Sequence, residues 1–71
     1  MIDIDQLLLK IKDSGMTMVA ISEKSGIKRE TLYNRLDGVG EFTASEIVGL
    51  SKALHLTRSE RDKIFLLPNV N

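Results

Sequence analysis

Side chains rich in hydrogen-bonding capacity gather within seven residues, where Lys28, Arg29, Glu30, Tyr33 and Asn34 stand close together. Arginine offers a planar fork of donors and lysine a compact charge. Asparagine pairs a donor with an acceptor, glutamate accepts, and tyrosine does either from the edge of an aromatic plate. This is the chemistry of recognition, which reads charge and hydrogen-bond pattern and breaks no bond. Bond-making chemistry has no comparable set. No nucleophile, general base and orienting group form a recognisable constellation, and no Gly-rich loop is placed to cradle a phosphate. The chain has no cysteine and one histidine, so a zinc-type ligand set cannot be completed. That histidine, His55, reads as an exposed or carbonyl-capping residue just past a helix. Asp3 and Asp5 read as acidic residues favouring a helix N-terminus. The expectation is a binding protein and not an enzyme, with no catalytic residue, metal or cofactor.

For those five residues to act together, a helix must hold them on one face. Caps and periodicity mark five helices. The first is predicted from Ile4 to about Ser14, with Asp3 as N-cap and Gln6 at capping-box spacing. Leu7, Leu8 and Ile11 supply its apolar positions, and Gly15 a left-handed end. The second runs from about Met18 to Ser25, between Thr17 and Gly26. The third runs from Lys28 or Arg29 to about Asp37, closed by Gly38, with Leu32 and Leu36 on its buried side. Arg29, Glu30, Tyr33 and Asn34 then face outward and Lys28 sits at the tip. Thr43-Ala44-Ser45-Glu46 and Thr57-Arg58-Ser59-Glu60 are capping boxes. They open a fourth helix carrying Ile47, Leu50 and Leu54, and a short fifth that ends near Leu66. No segment alternates long enough for a strand, and the single Pro68 interrupts no helix.

Length and composition agree with one such bundle. Seventy-one residues give room for one domain, spanning 1–71, and for one core. A hydrophobic fraction of 42% is that of a folded globule. No apolar run approaches the roughly 20 residues a bilayer requires, and Met-Ile-Asp-Ile-Asp lacks the features of a secretory signal, so a cytoplasmic protein is expected. Ten basic residues cancel ten acidic ones. That balance excludes a protein that coats nucleic acid by charge alone, and leaves both a sequence reader and a protein-binding module open.

The stretch from Thr17 to Gly38 reads as a helix, a tight turn of about four residues, and a second helix. Gly26 tolerates positive φ, and Ile21, Ile27 and Leu32 can pack between the two. Gly26-Ile27-Lys28-Arg29-Glu30-Thr31-Leu32-Tyr33-Asn34-Arg35-Leu36-Asp37-Gly38 resembles the helix-turn-helix of the Cro/CI (XRE-like) repressor family. Glu41-Phe42-Thr43, Glu46-Ile47, Lys52-Ala53-Leu54-His55-Leu56-Thr57 and Ile64-Phe65 extend the likeness to small regulators of temperate phages of Gram-positive bacteria. The resemblance covers roughly Leu7 to Leu66. It implies an all-α, compact five-helix, lambda-repressor-like domain whose third helix, about 28–37, enters the major groove of operator DNA. Arg29, Glu30, Tyr33 and Asn34 would then meet base edges, and Thr17 with the first amides of the second helix a phosphate.

The sequence departs from the family pattern at four places. Met18 stands where a phosphate-binding Gln is frequent, Ser22 where Ala is frequent, Lys28 where Ser or Thr caps, and Arg35 where an apolar residue is usual. With the neutral net charge, these keep a second expectation open: a modulator or antirepressor that grips a CI-type repressor protein through the same surface. Leu66, Leu67 and Val70 form an apolar end to the chain. With Ile64 and Phe65 before them, the run reads either as core closure, Ile64 and Phe65 packing against the first helix, or as a contact surface in which Leu66, Leu67 and Val70 meet a second copy, giving a homodimer, or another protein.

Overall fold

Where each helix begins follows from its cap. A computed structural model describes residues 2–66, so Leu67 and Val70, expected at an interface, lie outside the described residues. Five helices follow in order: α1 (Ile4–Ser14), α2 (Met18–Ser25), α3 (Arg29–Leu36), α4 (Ala44–Ala53) and α5 (Arg58–Phe65). No strand occurs among the described residues. The architecture is therefore all-α, as the caps and periodicity predict. Thr43 and Thr57 each accept from the backbone N–H three residues on, and Glu46 and Glu60 each accept from the cap's own N–H in return. Asp3 makes only one arm of the expected box, accepting from the Gln6 N–H at 3.1 Å. Its own N–H donates instead to the Ile64 carbonyl at 2.8 Å, which ties the start of α1 to the end of α5.

The core is built from Leu7, Ile21, Ile27, Leu32, Leu50, Leu54, Ile64 and Phe65, all buried. Ile64 and Phe65 close it beside α1, as core closure by the C-terminal apolar run requires. Phe65 meets Phe42 edge to face, with ring centroids 5.4 Å apart. Two expected core positions are corrected. Leu8 is 46% exposed, because a helix turns 100° per residue and α1 has neighbours on the Leu7–Ile11 side only. Leu36 is half-buried and packs on the rim of the core.

The packing of α2 on α4 positions the middle of the molecule. Gly49 faces the end of α2 so closely that a β-carbon there would stand 2.1 Å from the Ser25 carbonyl oxygen. Only a residue without a side chain permits that approach. On the far side, the Lys10 ammonium on α1 pairs with the Glu60 carboxylate on α5. Hydrogen bonds from Lys10 first and from the Thr57 backbone second lower the Glu60 pKa from 4.5 to about 2. No helix among the described residues is long and apolar enough to cross a membrane.

Candidate recognition surface

The turn between α2 and α3 consists of Gly26, Ile27 and Lys28, and its backbone is closed by short side chains. Gly26 adopts φ +76°, and its N–H donates to the Ser22 carbonyl at 3.0 Å. The Ser22 hydroxyl donates to the Ile27 carbonyl, and the Ser25 hydroxyl accepts from the Ile27 N–H at 3.3 Å. Ser22 therefore locks the turn, a role that an alanine could not fill. Ile27 then drops into the core at 5% exposure. Met18, the other departure in α2, is half-buried and packs against the core.

Helix α3 is anchored by a single fully buried side chain, Leu32. Its far end is closed by a Schellman arrangement: Gly38 at φ +86° donates to the Arg35 carbonyl at 3.1 Å, and the Val39 N–H to the Asn34 carbonyl at 2.8 Å. Arg35 lies outside the recognition set. Its Nε donates to Glu46 at 3.3 Å and an Nη to the Val39 carbonyl at 3.1 Å, so it bridges α3 to the start of α4.

With Leu32 inward, Arg29, Glu30, Tyr33 and Asn34 are all exposed on one side of α3, and Lys28 is exposed at its tip. Tyr33 keeps half its surface open, so its ring is not a core element. Among the described residues, none of these five side chains makes a hydrogen bond or an ion pair. Thr17 stands apart from them as N-cap of α2, and its hydroxyl oxygen accepts from the Ala20 N–H at 3.1 Å. That bond leaves the hydroxyl proton of an exposed residue available for donation.

The start of α3 differs from the other four, as the Lys28 departure leads one to expect. Asp3, Thr17, Thr43 and Thr57 each cap their helices through the side chain, whereas α3 has Lys28 as N-cap and no side-chain cap bond. A lysine has no acceptor, so the first amides of α3 receive nothing from it. The signal was present in the residue type at position 28. The uncapped end adds the partial positive charge of a helix start to the charges of Lys28 and Arg29.

The surface holds no metal-type set, since no three His, Asp or Glu side chains cluster among the described residues. Between Thr17 and Gly38 four basic residues face three acidic ones, a surplus of one. Leu66, the described member of the expected apolar interface, is 54% exposed and sits at φ +51° as the C-cap of α5. It lines a groove with Ile2, Phe42 and Ile47, away from the α3 set. Comparison with protein-family models, curated proteins and solved structures finds no match.

Proposed function

We propose that this chain is a sequence-specific DNA-binding transcriptional regulator of the Cro type, with α3 read into the major groove. One observation carries the reading: α3 presents Lys28, Arg29, Glu30, Tyr33 and Asn34 on one side, all exposed and none engaged within the molecule. A short helix behind a rigid three-residue turn is narrow enough for the groove. Arginine bidentate to guanine, asparagine bidentate to adenine and glutamate accepting from cytosine make this set a reader of base edges. The uncapped start of α3, Lys28 and the Thr17 hydroxyl suit flanking phosphates.

A second reading has its own support. The local charge surplus is one, Met18 is committed to packing, and Tyr33 and Arg29 are the residue types favoured as protein-interface anchors. On this reading the same face of α3 grips a CI-type repressor protein and alters its operator binding.

Titration of the purified chain against the control region of its own genome, with and without the neighbouring repressor, separates the two. Tight, salt-sensitive, sequence-selective binding by the chain alone supports the DNA reader, because each phosphate contact releases condensed counterions. Binding seen only alongside the repressor, or displacement of the repressor with no DNA contact by this chain, overturns it in favour of the modulator.

A further inference from the structure

Basic residues also gather away from α3. Between Lys52 and Lys63 four basic residues face two acidic ones, a surplus of two before His55 is considered. Where α4 gives way to α5, Val48, Ser51, Lys52, His55, Leu56 and Arg61 line an open cleft of about 500 Å³ with no carboxylate in its lining.

The ordinary duty of cations at a helix C-terminus is to meet its last carbonyls, and here three of the last four of α4 already accept from backbone N–H groups. The Leu54 N–H donates to the Leu50 carbonyl at 2.9 Å, that of His55 to Lys52 at 3.2 Å, and that of Leu56 to Ser51 at 2.9 Å. The Ser51 hydroxyl is occupied too, donating to the Ile47 carbonyl at 2.7 Å. Among the described residues, the side chains of Lys52 and His55 make no hydrogen bond or ion pair. Arg61 donates through Nε and one Nη to Asp62 at 3.1 and 3.0 Å, which leaves its other Nη free to donate.

His55 also occupies a position that the first three helices give to glycine. Its φ is +52°, the left-handed geometry that Gly15, Gly26 and Gly38 adopt without a side chain. A β-carbon there is a backbone cost, and the imidazole it carries stands exposed in the cleft.

We infer that this cleft binds a phosphate monoester. Lys52 supplies a point charge, Arg61 a charged donor and His55 a ring N–H. Val48, 49% exposed, and Leu56 form an apolar wall for the organic part of the ligand. The α3 surface takes no part, so this inference stands or falls apart from the proposed function.

The test is a nuclear magnetic resonance titration of the full chain at constant ionic strength, with inorganic phosphate and with adenosine monophosphate as probes. The expected result is saturable shifts at His55, Leu56 and the Arg61 side chain, with adenosine monophosphate about tenfold tighter than phosphate because only it reaches the apolar wall. Lys52→Ala and Arg61→Ala should each weaken binding by about tenfold, the scale of one lost charge-assisted hydrogen bond. His55→Gly should weaken it while the melting temperature holds or rises, a combination that a purely structural histidine would not give. Shifts that never saturate, that fall equally on Lys28 and Arg29, or that survive Lys52→Ala overturn the inference. So do shifts of this cleft produced by duplex DNA but not by adenosine monophosphate, which would assign it to a nucleic-acid backbone.

Discussion

Helices α3 and α4 are consecutive and of similar length, eight and ten residues, yet they are built in opposite ways. Helix α4 starts in a complete capping box, buries Leu50 and Ala53, and receives Arg35 on Glu46 across a pair only 21% and 16% exposed. Helix α3 starts on a lysine with no side-chain cap, buries Leu32 alone, and leaves its outward charges without partners among the described residues. The polar residues of α4, Lys52 excepted, are occupied with holding the fold. Those of α3, with the exception of Arg35, are not. A helix that carries less of the molecule's own stability has a surface available for something else, and this contrast is what makes α3 the candidate.

The largest effect that would sharpen the contrast is on the one anchor of α3. Leu32→Ala should cost about 2–5 kcal/mol, the range for deleting a fully buried leucine side chain, and should loosen α3 before the rest of the domain. Chemical denaturation reads the loss, and hydrogen exchange of the α3 amides reads its location. A loss below about 0.5 kcal/mol would show that α3 is held by something other than Leu32.

The caps give a smaller and opposed pair. Thr43→Ala should destabilise by about 1 kcal/mol, the usual worth of an N-cap. Lys28→Thr should do the reverse, raising stability by up to about 1 kcal/mol, because it supplies the acceptor that α3 lacks. A Lys28→Thr variant less stable than the parent would mean that the start of α3 is already satisfied, and the contrast between the two helices would fail there.

The smallest expected effect concerns the far side of the molecule. Glu60 has its pKa lowered from 4.5 to about 2 in the fold, so its pairing with Lys10 and its cap contribute fully above about pH 4.5. That contribution is lost as pH falls from there through 2. Glu60→Gln should flatten the fall in stability across this window in acid denaturation curves. A Glu60→Gln variant that keeps the parent's slope would show that the Lys10 pair and the cap contribute nothing in this window.

Most of the fold was legible in the sequence, for reasons that the residues make plain. The capping boxes at Thr43 and Thr57 are local events within four residues. Gly15, Gly26 and Gly38 mark ends that need a left-handed residue, and all three adopt positive φ. The helix ends at His55 and Leu66 were harder to mark, because they take the same conformation without the residue that announces it. Leu8 was misplaced because one extra apolar residue beside Leu7 fits the helical period loosely, and only the neighbours of α1 decide which face is covered. The Asp3–Ile64 bond and the bridge from Arg35 to Glu46 join different helices, where spacing along one helix says nothing. At the candidate surface, the outward side of α3 followed from Leu32 and Leu36, four residues apart. The missing cap was written in Lys28, where Ser or Thr would cap, and the structure sets it against four caps that are made.

The central claim is that the outward face of α3 serves recognition and not the fold. It is tested most directly by measuring Arg29→Ala in two assays, thermal unfolding and affinity for duplexes selected by the parent chain from a randomised pool. The account predicts a stability change within about 0.5 kcal/mol, as for a surface residue without partners, together with a loss of about 1–3 kcal/mol in affinity and relaxed preference at one base pair. Unchanged affinity for the selected duplexes, failure of the parent to select any, or a loss of affinity matched by a loss of stability would contradict it.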